Sequence, residues 1–217
     1  LEQMRTATFL GTSQLIFTPS TIVGLIVFFF LSLQCMSTVA VIRKESRAVV
    51  RHIAAWKPYR DAKAVLFYAP LRREVQILDL LEEALAEGKA VYLPLCDLKT
   101  GEMRTAVVKS VKELVCGPYG IWHPKRPKGR RPKSGKLDLL LVPGIAFDAE
   151  GKRLGRGGGH YDKFLSGWAG KAPAVGLAFS AQVVRKVPSE AHDVPMDFLA
   201  HPGGIVRCTR KKGKTKS

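Results

Sequence analysis

The sequence predicts a single α/β domain with a central, mostly parallel sheet flanked by helices, and three observations lead there. Leu139 to Val142 is a continuous apolar run closed by Pro143-Gly144, the pattern of a strand covered on both faces, as parallel-sheet strands are. Ala64 to Leu93 reads as strand, amphipathic helix, strand, which is a βαβ unit. Finally, 217 residues at 46% hydrophobic content suffice for one such domain with a full core.

Along the chain, Leu15 to Leu33 is strongly apolar, with Arg5 before it and Arg43, Lys44 and Arg47 after it. Its length suits a short membrane span or the apolar part of a signal peptide. Pro19 interrupts it, however, and Met36-Ser37 is a plausible native start for the domain. The reading is therefore an extension, residues 1–35, with no part in the chemistry, ahead of a domain over 36–206 and a tail over 207–217; a real anchor is the alternative. Val41 to Trp56 has apolar residues at helical spacing (Val41, Val49, Val50, Ile53, Ala54) and Arg43, Lys44, Arg47 and Arg51 on the other side.

Ala64 to Tyr68 is read as a strand ended by Pro70. Val75 to Glu87 is read as a helix with Ile77, Leu78, Leu81 and Leu85 inward, closed by Gly88. Ala90 to Leu93 comes next as a strand ended by Pro94, and Glu102 to Val108 as another. Gly117 to Pro124 is a turn-rich loop carrying Tyr119 and Trp122, and Ala174 to Phe179 is a further apolar strand. Glu74 stands where a strand meets its helix, the edge at which open α/β sheets bind ligands; a lone acid there also suits the helix dipole.

Chemistry concentrates between Leu139 and Leu165. After the apolar run comes Gly155-Arg156-Gly157-Gly158-Gly159, where missing Cβ atoms allow positive φ and let successive N–H groups converge on an anion. Arg153 and Arg156 add guanidinium groups whose geometry suits phosphate oxygens, and His160, Tyr161 and Asp162 open a helix. No Gly-Lys-Ser/Thr comes after the glycines, so this is not a P-loop, and His160 stands where a dinucleotide fingerprint needs its third glycine.

The segments PGIAFD (143–148), GKRLGRGGG (151–159) and HYD (160–162) closely resemble the nucleotide loop of the 5-formyltetrahydrofolate cyclo-ligase family. The resemblance covers roughly Ala64 to Val206. It implies an ATP- and Mg2+-dependent ligase: the formyl oxygen of 5-formyltetrahydrofolate is phosphorylated and folate N10 attacks the activated carbon, giving 5,10-methenyltetrahydrofolate, ADP and phosphate. It assigns ATP to Arg153, Leu154, Gly155, Arg156, Gly157, Gly158, Gly159, His160 and Tyr161, with Arg153 and Tyr161 at the reacting groups. His160 takes the place of a tyrosine usual in the family. Folate falls to Glu74, from the likeness of YAPLRREV, and to Tyr119 and Tyr161, while Asp162 and Asp193 are the metal-associated acids. Arg43 and Arg47 imitate the spacing of a basic ATP-binding helix; the short interval to Ala64 fits the family's second helix as well.

Thirty-five Lys and Arg against 18 Asp and Glu give a charge of +17. Seven cations lie between Lys125 and Lys136 and six in the last eleven residues, so the excess sits in a basic loop (123–136) and tail on a nearly balanced body. Nucleic acid is thereby a peripheral partner at most for an enzyme. The alternative is a catalytically impaired relative that binds nucleic acid through those segments. Cys35, Cys96, Cys116 and Cys208 form no C-x-x-C pair, so a reduced, cytoplasmic setting is expected. A monomer is the expected state.

Overall fold

The computed structural model describes residues 19–96, 102–117, 122–125, 137–167, 172–190 and 192–209; for 19–36 and Pro124 it describes the backbone alone. Residues 42–217 form one compact unit and residues 1–41 another. The elements in chain order are α1 (Pro19–Ala55), α2 (Lys57–Asp61), β1 (Ala64–Leu66), α3 (Leu78–Ala86), β2 (Ala90–Cys96), β3 (Met103–Val108), β4 (Leu114–Cys116), β5 (Trp122–Pro124), β6 (Leu139–Val142), β7 (Ala146–Phe147), β8 (Arg153–Leu154), α4 (His160–Ser166), β9 (Ala174–Leu177), β10 (Phe198–His201) and β11 (Gly204–Arg207).

Seven strands form the central sheet in the order β11-β10-β9-β6-β1-β2-β3. The five inner strands are parallel, and β3 and β11 pair antiparallel at the two edges. This is the mostly parallel α/β sheet the sequence predicts. The apolar runs have nothing polar to spare because both faces are covered. Val65, Phe67, Val91, Leu93, Leu139, Leu141 and Val175 point to one side, under α3 and the last turns of α1. Ala64, Leu66, Tyr92, Leu140, Val142 and Ala174 point to the other, under Phe147 and α4.

On one side of β1 the chain continues to β2, and on the other lie β6, β9 and β10. The order reverses between β1 and β6, so a crevice opens at the carboxyl ends of those two strands, where doubly wound sheets bind ligands.

Several expected boundaries shift for physical reasons. Pro19 opens α1 instead of breaking the apolar run; at a first helical position its missing N–H has no intrahelical partner to lose. Val41 is 53% exposed, because the buried face of α1 is set by Ser46, Val49 and Ile53. Pro94 lies inside β2, opposite Thr105 of β3, and does not end it. Pairing of β2 with β1 stops at Tyr92, so the side of Pro94 that lacks a donor faces no strand. Helix α3 begins at Leu78, which leaves Leu78 38% exposed and turns Leu80, Leu81 and Ala84 inward.

Among the described residues no helix is long and apolar enough to cross a membrane. The apolar run Leu15 to Leu33 lies outside the residues whose side chains are described, as do most of the basic loop and the tail beyond Thr209. Cys96 and Cys116 are exposed free cysteines.

Candidate active site

From the carboxyl end of β6 the chain turns into the β7–β8 hairpin, which carries the first wall of the crevice. Phe147 holds the hairpin down: a Cβ on Gly144 or Gly176 would lie 2.6 or 2.5 Å from its ring, so glycine is needed at both places for the ring to lie on the backbone. Asp148, 2% exposed, closes the hairpin turn. Its Oδ1 accepts from the N–H groups of Glu150 and Lys152, each at 3.0 Å, and its Oδ2 from the Val187 N–H at 3.0 Å. Sequence reasoning gave Asp148 no role, although an Asp three residues before Gly151 is a recognisable turn signal.

Arg153 comes next on β8, opposite Phe147, and is carried inward with it. Its side chain is 5% exposed, and Nη2 donates to Asp162 Oδ2 at 2.8 Å in a salt bridge. The guanidinium also stands 5.5 Å from the centre of the Tyr161 ring. Two donors of this cluster, Arg153 Nε and the Tyr161 hydroxyl, are buried without a hydrogen-bond partner. Buried donors are nearly always paired, so two adjacent orphans in a ligand crevice mark a place for an acceptor from outside the chain. Burial pushes the Tyr161 hydroxyl far above the usual phenol range, with Cys96 and Glu74 adding to it and Arg153 opposing; it stays a donor at every working pH.

The glycine loop bridges β8 and α4. Gly157 and Gly159 have φ of +89° and +60°, and Gly159 stands immediately before His160. At Gly155 and Gly158 a Cβ would lie 2.8 Å from Arg153 Nη1 and 2.6 Å from His160 Cδ2, so a side chain there would displace those two groups. Leu154 is 40% exposed, and its carbonyl accepts from the Ile145 N–H at 2.8 Å.

The opposite wall is the loop after β1. Glu74 is 8% exposed; its Oε2 accepts from the Leu71 N–H at 2.9 Å. Its Oε1 meets Arg156 Nη2 at 3.2 Å, an ion pair joining two residues 82 apart in sequence across the crevice. The expected substrate acid and the expected phosphate cation are thus in contact.

The final turns of α1 lie at the same edge. Glu45 Oε2 accepts from the Ser180 N–H at 2.9 Å, just beyond β9, and Ser46 Oγ from the Gln76 N–H at 3.0 Å. Arg43 and Arg47 are exposed on this segment.

Asp193 stands apart from Asp162 in its bonding. It accepts from the Glu190 N–H at 2.7 Å, whereas Asp162 is engaged by Arg153. No group of three or more His, Cys, Asp or Glu residues is gathered for a metal among the described residues. Tyr119 lies outside the described residues.

A model of the 5-formyltetrahydrofolate cyclo-ligase family matches residues 31–202, a span that takes in Arg43 and Arg47 as well as the crevice. The chain is 33% identical over 155 residues to a 5-formyltetrahydrofolate cyclo-ligase of Haemophilus influenzae, covering 69% of this chain and 81% of that protein. To the mouse cyclo-ligase it is 26% identical over 167 residues, covering 73% and 82%. The solved structure of a 5,10-methenyltetrahydrofolate synthetase from Aquifex aeolicus superposes with a TM-score of 0.64 at 32% identity, covering 79% of this chain and 84% of that one. A synthetase of the same description from Mycoplasma pneumoniae shares the fold, with a TM-score of 0.59 at 20% identity and coverage of 74% and 87%. With the sheet order, the crevice and its glycine loop in the same stretch of sequence, the chain belongs to the 5-formyltetrahydrofolate cyclo-ligase family and is an enzyme of that family.

Proposed function

We propose that the protein converts 5-formyltetrahydrofolate to 5,10-methenyltetrahydrofolate, using ATP with Mg2+ and releasing ADP and phosphate. The observation that carries this reading is the pair of buried, unpartnered donors, Arg153 Nε and Tyr161 OH, beside the glycine loop at the switch point of the sheet. A cationic donor and a neutral hydroxyl, both buried and on residues whose side chains lie against each other, suit an oxygen that gains negative charge as phosphate is transferred. Such chemistry asks for positioning and charge neutralisation more than for a side-chain base.

In this reading ATP supplies the phosphoryl group that activates the formyl oxygen. Arg153, Arg156 and the backbone from Leu154 to Tyr161 hold its phosphates, with Arg43 and Arg47 on α1 as the second basic wall. Glu74 accepts N–H donors of the reduced folate ring, Tyr119 flanks it, and Tyr161 closes on the formyl group. Asp162 and Asp193 offer only oxygen ligands. That suits Mg2+, a hard ion that takes one or two carboxylates and fills its other positions with phosphate and water. Placement in the cytoplasm and a monomeric state belong to the same proposal.

The direct test monitors the absorbance of the 5,10-methenyl product when purified protein meets 5-formyltetrahydrofolate, Mg2+ and ATP. An ATP-dependent rise is expected. No rise, together with salt-sensitive retention of RNA, overturns the reading in favour of a nucleic-acid-binding relative. For the metal assignment, Asp162→Asn is expected to raise the Mg2+ concentration for half-maximal activity about tenfold or more. An unchanged Mg2+ dependence in a folded variant removes Asp162 from the metal site.

A further inference from the structure

Glu74 is held by a cassette that the proposed chemistry leaves unexplained. The turn from Leu71 to Glu74 is closed by the Glu74 N–H on the Leu71 carbonyl at 3.0 Å and by the Leu71 N–H on Glu74 Oε2 at 2.9 Å. Gln76 then clamps it. Its Nε2 donates to the Leu71 carbonyl at 2.8 Å and to the Glu74 carbonyl at 2.7 Å. Both partners are carbonyl oxygens, so the nitrogen end of the amide must face them, and both of its hydrogens are used. The Gln76 backbone N–H donates in turn to Ser46 Oγ at 3.0 Å, and Ser46 is 3% exposed on α1 between Arg43 and Arg47.

Together these bonds fix one carboxylate oxygen of Glu74 and aim the other, Oε1, across the crevice toward Arg156. Without the Gln76 amide the turn keeps its two local bonds but loses the pair of contacts that tie both of its ends to one side chain. Without the Ser46 hydroxyl, this turn loses its hydrogen bond to the buried face of α1, the helix whose exposed side carries Arg43 and Arg47.

Resting on the folate reading of Glu74, we infer that Gln76 is a positioning residue for substrate recognition and that Ser46 ties it to α1, the helix that carries Arg43 and Arg47. Gln76 touches no substrate in this assignment; it acts through Glu74. Ser46 acts through the Gln76 backbone, and therefore on both the folate wall and the nucleotide wall.

The experiment uses the full chain in the methenyl absorbance assay. Gln76→Met keeps the length of the side chain and removes its donors. It is expected to raise the KM for 5-formyltetrahydrofolate about tenfold, the scale of one or two lost hydrogen bonds, with kcat and the KM for ATP within about twofold of wild type. In a Glu74→Gln background the same change is expected to add little, because the group it positions is already altered. Ser46→Ala is expected to raise both KM values, and Ser46→Thr, which keeps the hydroxyl, to restore them. The inference is overturned if Gln76→Met leaves the folate KM unchanged, if it lowers kcat and raises both KM values in step with a fall in Tm, or if its effect adds in full to that of Glu74→Gln. An inactive wild type instead strikes at the proposed function itself, so the two failures are distinct.

Discussion

Arg153→Gln is expected to lower kcat/KM about a thousandfold, the scale seen when a preorganised donor is removed from a developing oxyanion. The same change removes the cation beside Asp162, whose side chain is only 13% exposed, and costs about 3 kcal/mol of stability by stranding that carboxylate. The two effects separate in one further variant. Arg153→Gln combined with Asp162→Asn has no charge left to strand, so chemical denaturation should show most of the stability restored while the absorbance assay shows no recovery of turnover. A kcat/KM close to wild type in Arg153→Gln, measured well below its own Tm, would mean that Arg153 serves the fold alone.

Gly151→Ala is expected to lower stability by as much, through the backbone instead of a charge. Gly151 has a φ of +84°, and an added Cβ would lie 2.4 Å from the Met196 carbonyl oxygen and 3.0 Å from Cys208 Cβ. Neither neighbour is a flexible side-chain end, and the Met196 N–H is bonded to the Gly151 carbonyl at 2.8 Å, so the two segments cannot simply part. Left-handed strain and this contact together should cost about 3 kcal/mol, or roughly 10 °C in Tm. Because the turn from Asp148 to Lys152 leads directly into β8, the base of Arg153 should shift as well. A melting curve matched to wild type would show that the turn relaxes without cost.

The sheet was readable because burial on both faces leaves an unmistakable apolar run, and the loop because its glycines crowd between two arginines. Leu139 to Val142 and Gly155 to Gly159 therefore stand where they were expected. What one sequence hides is phase and distance. Leu78 and Leu80 are equally apolar, and only the true start of α3 decides which faces inward. Pro94 looks like a stop until the early end of pairing with β1 shows that its missing donor costs nothing. The Glu74–Arg156 pair and the Ser46–Gln76 bond join residues 82 and 30 apart, and no local pattern reports such contacts. Asp148 was legible in principle, since an acid shortly before a glycine suggests a turn, but neighbouring acids carry the same local signal.

The position of β1 inside the sheet, between β6 and β2, also bears on how the chain reaches its native state. Its neighbour β2 is near in sequence, but its other neighbour, β6, begins at Leu139, about seventy residues beyond the end of β1 at Leu66. Until that later segment has been synthesised and docked, β1 presents an open edge of unpaired N–H and C=O groups flanked by apolar side chains, a template for association with other chains. The crevice, which needs both strands, is accordingly among the last features to form. A chain cut short between β5 and β6 should be prone to aggregate, whatever its local helices do.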